Sequence, residues 1–215
     1  YQRVMELGGQ YAYAGRDIVV QQVLDILGAT ELDSVHNHHN YSFTETHGGK
    51  ELQVTRKGAT PLAPGQRGAV GGSMCDIAVI LRGRDTPRLP GSGVYRDLSV
   101  IEEQESNLFS TVHGAGRIMS RTEAKGKRKY RTNELVLNED GTPKKAPRVS
   151  EEMMAKSVKD YGIELRGGFL DESAFCYRPL QDVIKAHENT VNVDHTLRPV
   201  IVCMAPSNIV DPFKD

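Results

Sequence analysis

Apolar residues recur at three- and four-residue steps through the first 27 positions: Val4, Leu7, Tyr11, Ala14 and Ile18, continued by Val19, Val23, Leu24 and Leu27. This spacing lines one side of a helix and predicts an amphipathic helix over 1–27, with Gly28 as its stop. Gly8, Gly9 and Gly15 oppose it, each costing about 1 kcal/mol relative to Ala. Residues 34–41 are polar and rich in histidine. Residues 51–55 alternate like a strand, and the Gly- and Pro-rich stretch 58–72 predicts a loop. A short apolar strand is predicted over 76–81. It is followed by a surface insertion at about 82–106, marked by Pro87, Pro90, Gly91 and Gly93 and then by Glu102, Glu103 and Glu105.

A brief strand at 109–112 runs directly into His113-Gly114-Ala115-Gly116-Arg117, a sequence that predicts a functional turn. Residues 121–131 carry six positive charges and one negative, and 138–147 is turn-rich, so 121–150 reads as a second, mobile insertion. Ser150 before Glu151 and Glu152 is a helix start, with Met153, Met154, Val158 and Tyr161 as its apolar side and Gly162 as its stop. Pro179 opens a further helix to about Asn189, and 191–204 reads as strand interrupted at Pro199. Strands and helices follow one another without regular alternation. The expected fold is therefore α+β, with a mixed or antiparallel sheet core flanked by helices in a single domain over 1–215.

Composition narrows the function classes. Twenty-seven Lys and Arg against 28 Asp and Glu leave a net charge of −1, so no global basic field exists to hold nucleic acid, and any polyanion site is local. With 38% apolar residues and 26% charged, a disordered chain is excluded. The longest apolar runs fall far short of the roughly 20 residues of a membrane span. Cys75, Cys176 and Cys203 are odd in number and lack short spacing, which argues for a reducing compartment. With no basic-then-apolar leader after Tyr1, the cytoplasm is the expected location.

Three clusters could carry chemistry. His36-Asn37-His38-His39-Asn40 offers imidazoles for a transition metal, although in an extended segment His36 and His38 share one face and His39 the other. A polar surface loop is the competing reading. His113 stands beside Gly114 and Gly116, whose backbone N–H groups can approach an anion, while Arg117 can add charge; a histidine so placed can attack phosphorus or act as a base. The third cluster, 68–74, is a glycine-rich loop ending in Ser73 and Met74. Arg56, Lys57, Arg67 and the run through Arg131 could follow a nucleic-acid backbone, or form a solvated charged face.

In order, Tyr11-Ala12 with Arg16, His38-His39-Asn40-Tyr41, Val54-Thr55-Arg56-Lys57-Gly58-Ala59, Gly72-Ser73-Met74, 113–121, 172–177 and Thr196-Leu197-Arg198 closely resemble the C-terminal half of RtcB-type RNA-splicing ligases. The resemblance implies a fold of two stacked sheets. It also implies a GTP- and manganese-dependent enzyme joining RNA 3′-phosphate or 2′,3′-cyclic phosphate ends to 5′-hydroxyl ends, on tRNA halves or broken RNA. In that family the histidine matching His113 is guanylylated, and GMP then passes to the RNA. By the same comparison His39 matches a manganese ligand and Asn40 a neighbour of the nucleotide. Gly71, Gly72, Ser73 and Met74 match the guanylate loop, Gly114, Ala115 and Gly116 the turn after the nucleophile, and Tyr177 an aromatic near the nucleotide. Arg56, Lys57, Arg117 and Arg121 are the expected RNA contacts, and an archease-type activator is a possible partner.

The departures from the family pattern are specific. Its other metal ligands precede the residue matching Tyr1, so an N-terminal half or a completing chain is expected. The family's terminal lysine is replaced by Met204, with Lys214 ten residues later. Gly71 stands in a usual proline position, Ala78 in a serine position and Gly15 in an asparagine position. Loss of a charged contact to the nucleotide can cost about 1.5–3 kcal/mol. A second reading is therefore a divergent relative that binds RNA or nucleotide without ligating. A third is a metal-dependent phosphoesterase using His36, His38 and His39.

Overall fold

In a computed structural model of the 215-residue chain, the structure describes residues 1–38, 40–85, 98–129 and 132–206. Five α-helices occur among them: α1 (Gln2–Leu27), α2 (Leu98–Ser106), α3 (Arg121–Lys125), α4 (Glu151–Tyr161) and α5 (Leu180–Lys185). Nine strands accompany them: β1 (Asn40–His47), β2 (Lys50–Lys57), β3 (Ala59–Pro61), β4 (Arg67–Gly71), β5 (Ala78–Gly83), β6 (Ser110–Val112), β7 (Glu164–Gly168), β8 (Val191–Leu197) and β9 (Ile201–Pro206). They form small sheets, β1 with β2 and β3 with β6 antiparallel, β7 with β9 parallel, and β4-β5-β8 with β5 in the middle. The fold is α+β.

The chain divides into two compact units. The first comprises Tyr1–Ala69, Ile80–His113 and His187–Asp194; the second comprises Val70–Val79, Gly114–Ala186 and His195–Asp215. In the first unit, α1 closes as its spacing predicts: Gly28 takes a left-handed φ of 61° and its N–H reaches back to the last turn. The apolar stripe of α1 is uncovered in this chain, with no residue of the helix buried and Tyr11 84% exposed. No helix among the described residues is long and apolar enough to cross a membrane.

Strands β1 and β2 make a hairpin whose two-residue turn is Gly48-Gly49, with φ of 55° and 76°. Both central residues need positive φ in that turn, which is why two glycines stand there. Sequence patterning located part of β2 but not β1. Residues 58–72, predicted as loop, instead hold β3 and β4, which pair with β6 and β5; an added Cβ on Gly68 would lie 3.0 Å from the Leu62 side chain. The expected surface insertion at 82–106 ends in α2, whose Val100 and Gln104 are buried. Gln104 Nε2 donates to the carbonyls of Arg84 and Thr190, so this helix is tied to the unit's interior. Residues 86–97, the Pro- and Gly-rich part of that insertion, lie outside the described residues.

The second unit is built around Met74, Ala124, Val149, Met154, Ile163, Leu170 and Cys176. Two of these, Ala124 and Val149, are fully buried although they fall in the stretch expected to be a mobile insertion. A capping box explains the difference: Ser120 Oγ accepts from Glu123 N, and Glu123 returns a carboxylate to Ser120 N, starting α3 among the charges. Helix α4 begins at Ser150, which accepts from Met153 N, and stops at Gly162, as its sequence signals predict. Pro199 does interrupt the last predicted strand, leaving β8 and β9 in different sheets.

Gly8→Ala and Gly15→Ala should each stabilise α1 by about 0.5–1 kcal/mol, since an added Cβ meets nothing within 4 Å. Helical circular dichroism and the melting temperature should both rise. Gly9→Ala should give a smaller gain than either, because its Cβ would approach the Tyr41 ring at 2.6 Å.

Candidate functional site

In the first unit the histidine-rich segment is tied down from several sides. Asn37 Nδ2 donates to Arg67 O, and Asn37 Oδ1 accepts from Ala69 N, so one side chain pairs with β4 as a strand would. The His36 ring stacks on Tyr13 at 3.4 Å between centroids. His36 Nδ1 lies 3.2 Å from Asp17 Oδ1, while Arg16 Nε donates to its Nε2. Burial, and then the Arg16 charge, hold the His36 pKa below its ordinary value against the pull of Asp17. Both ring nitrogens of His36 thus have partners on α1. His38 stacks on Tyr41, and its carbonyl accepts from the buried Thr60 hydroxyl. His39 lies outside the described residues.

His113 ends the first unit. It is exposed and follows directly on β6. The register of β3 with β6, Ala59 opposite Val112, brings Gly58 beside it. Gly58 has φ of 68°, and a Cβ built there would stand in ordinary contact with the His113 ring at 3.5 Å, so the imidazole lies beside this glycine. Gly58 N donates to Asn40 Oδ1 at 3.2 Å. The predicted nucleophile and the predicted nucleotide neighbour are thus brought to the same glycine.

In the second unit, Gly72 N donates to Ile77 O and Asp76 N to Ser73 O, closing a tight loop over 72–77. Any Cβ on Gly72 would strike Ile77 O at 2.4 Å. Asp76 finishes the loop: Oδ1 accepts from Ile77 N and Oδ2 from Leu180 N, at the start of α5. Ala115 N donates to Gly71 O at 3.0 Å, which joins the turn over 114–116 to this Gly-Gly-Ser-Met loop. Beside them, the Arg117 guanidinium lies 4.8 Å over the Tyr177 ring, with Nη1 donating to Tyr177 Oη and Nε to Met119 O. Tyr177 Oη in turn donates to Glu172 Oε2 at 2.6 Å.

Asp171, fully buried, accepts from Arg121 Nη1 and Lys125 Nζ on Oδ2, and Arg121 also pairs with Glu172. Burial works to raise the Glu172 pKa, but hydrogen bonds from Tyr177 and Arg121 outweigh it and hold the carboxyl below its usual value. A depressed pKa contributes stability above the unfolded-state value that is lost as pH falls through the folded one. This network therefore weakens on acidification.

Three of the four expected RNA contacts have acidic or carbonyl partners within the chain. Arg56 is only 4% exposed and bonds to Glu45, Ser110 and Leu108 O. Arg117 donates to Met119 O, Tyr177 Oη and Asp171 O, and Arg121 Nη1 pairs with Asp171 and Glu172. Of the three only Arg56 is withdrawn from water, and a guanidinium so placed must have its donors satisfied within the chain. Lys57 is exposed. Sequence reading did not single out Asp171, Glu45 or Ser110; an acidic residue in an apolar stretch is the one signal that points to Asp171. Among the described residues, no group of three His, Cys, Asp or Glu side chains could hold a metal ion.

In the second unit the turn over 114–116 and the loop over 72–77 are thus glycine-backed and joined by one backbone bond, while the exposed His113 stands at the end of the first. The chain belongs to the RtcB family, since the family model for tRNA-splicing ligase RtcB matches residues 1–205. It is 28% identical over 202 residues to the RNA-splicing ligase RtcB1 of Escherichia coli strain ATCC 25922, covering 89% of this chain and 40% of that protein. It is 31% identical over 170 residues to the RNA-splicing ligase RtcB of Escherichia coli K12, covering 79% of this chain and 32% of the relative. The chain thus spans well under half the length of these relatives.

Burial of its phenol, together with the bond to Glu172, pushes the Tyr177 pKa up to about 12. A raised pKa contributes stability that is complete below the unfolded value of 10.0 and is lost as pH rises through the folded one. In an alkaline titration followed by phenolate absorbance, one tyrosine should ionise near 12, and that step should vanish in Tyr177→Phe.

Proposed function

We propose that this chain carries the nucleotide-transfer chemistry of an RNA ligase that uses GTP and manganese to join RNA 3′-phosphate or 2′,3′-cyclic phosphate ends to 5′-hydroxyl ends. The observation that carries the reading is the Ala115 N to Gly71 O bond, which couples the turn after the histidine to the Gly-Gly-Ser-Met loop. Family membership and the names of the relatives support the class of reaction.

His113 is the nucleophile. Its ring nitrogen attacks the α-phosphorus of GTP, a P–N bond forms, and the P–O bond to pyrophosphate breaks. An oxygen of the RNA 3′-phosphate then takes GMP from His113, and the imidazole leaves. The 5′-hydroxyl oxygen attacks the activated 3′-phosphorus, loses its proton to solvent, and GMP departs. Backbone N–H groups of Gly114 and Gly116 hold the phosphate oxygens, with Ala115 tying their turn to Gly71 O; Gly71, Gly72, Ser73 and Met74 hold the guanylate, and Tyr177 stands beside the base. Asn40 is kept in place by Gly58 N. Manganese would neutralise charge on the phosphates, with His39 as its ligand from this chain. The described residues do not by themselves make a metal site.

Lys57, which is exposed, is a contact for the RNA backbone, as are Arg117 and Arg121. The substrates are tRNA halves or broken RNA. The full reaction draws on the polypeptide that accounts for the rest of the relatives' length, and an archease-type activator belongs to the same proposal. A second reading, nucleotide or RNA binding without ligation, is favoured by Met204: it lies on β9 and packs against the core that includes Met74, an apolar side chain where the family has lysine.

The chain, alone and joined to an N-terminal half from a relative, is incubated with α-labelled GTP and Mn²⁺. Acid-labile, alkali-stable label should appear on the protein and be lost in His113→Ala. A folded, joined protein without label would overturn the ligase reading in favour of the binding one, which predicts salt-sensitive RNA binding unaffected by His113→Ala.

A further inference from the structure

Two consecutive residues of the first unit, Leu108 and Phe109, hold left-handed φ of 54° and 49° without being glycine. Such conformations persist only where surrounding structure over-determines them, and here they immediately precede β6 and His113. Phe109 N donates to Gln104 O and Leu62 N to Phe109 O, both at 2.7 Å. The Phe109 ring stacks on His47 at 5.7 Å, and Ser110 N donates to Asn107 Oδ1. One side chain reaches both sides of the bend. Arg56 Nη2 donates to Leu108 O and Nε to Ser110 Oγ, each at 2.8 Å.

Arg56 is itself held rigidly. Glu45 takes Nη1 at 2.6 Å and Nη2 at 2.9 Å, and the guanidinium lies 5.3 Å over the Phe43 ring. Burial works to raise the Glu45 pKa, while bonds from Arg56 and His47 prevail and keep it ionised. Two residues beyond Arg56, just past the end of the same strand, comes Gly58, on whose backbone the His113 ring rests. A single guanidinium thus fixes the origin of β6 while its own strand leads to the surface on which the ring at the far end of β6 lies.

We infer that Arg56 is a positioning residue for His113, fixing through the strained 108–110 bend and strand β6 the place of the imidazole over Gly58. The inference rests on the reading of His113 as the nucleotide-accepting side chain only for its catalytic consequence; the positioning is a property of the first unit alone. Lysine keeps the charge of arginine but cannot bond Glu45, Leu108 and Ser110 together. Arg56→Lys therefore loosens the bend without removing the ion pair. Ser110→Ala removes one arm of the clamp while leaving the charges paired.

The test is nuclear magnetic resonance of histidine-labelled full chain. In the wild type, a nuclear Overhauser signal should join the His113 ring to Gly58 Hα, and it should disappear in Arg56→Lys with displacement of the His113 ring resonances. The His187 and His195 resonances should stay in place. If the Arg56→Lys protein melts earlier but keeps the His113 resonances and the Overhauser signal to Gly58, Arg56 is merely structural and the inference fails. Should Arg56→Lys not fold, Ser110→Ala decides by the same signal. Where the wild type takes up GMP, Arg56→Lys should lower the rate of labelling at saturating GTP about tenfold or more with little change in the half-saturating concentration. An unchanged rate overturns the inference. If the wild type takes up no label while the Overhauser signal to Gly58 vanishes in the variant, the ligase reading is weakened and the positioning is upheld.

Discussion

A buried guanidinium is the demand around which the first unit is organised. Arg56 has exchanged water for Glu45, Ser110 and Leu108 O, and a charge so placed destabilises any arrangement that leaves its donors unmet. That requirement ties the β1–β2 hairpin to the 108–110 bend across more than fifty residues of sequence. It also makes tolerable two left-handed residues, each costing roughly 1–2 kcal/mol in isolation. The second unit meets the same demand with opposite polarity. There the fully buried carboxylate is Asp171, and Arg121 and Lys125 converge on it while Arg117 takes its carbonyl.

The functional reading follows from what these networks consume. Arg56, Arg117 and Arg121 look in sequence like a basic track for RNA, but their charge is neutralised within the fold. With a net charge of −1, the chain has no surplus field to replace them. Arg56 instead braces the bend before β6, while Arg117 and Arg121 brace the network around Asp171 and Glu172.

Local signals were legible wherever one residue decides the outcome. Ser150 and Gly162 bound α4 because a hydroxyl cap and a left-handed glycine act over a single turn, and Gly28 ended α1 in the same way. Pro199 broke the last strand because it lacks a ladder donor. The order of the motifs around Asn40, Ser73 and His113 was equally visible. What escaped were elements whose existence rests on distant partners. Strands β3 and β4 hide in glycine-rich sequence, since their pairing, not their side chains, makes them strands. The segment 121–150 reads as charged and turn-rich, yet Ala124 and Val149 are core residues there. Small apolar residues spaced that far apart leave no periodicity to find.

The sequence by itself determined the boundaries of α1 and α4, the α+β class and the position of the glycine-rich turns, because caps, turns and glycine conformations are fixed by residues within a few positions of one another. Tertiary structure alone decided which charges are spent and which side chains face outward. Whether Arg56 meets an RNA phosphate or Glu45 depends on what a hairpin and a bend bring within 2.9 Å of it, and burial at that point turns a surface cation into an internal strut.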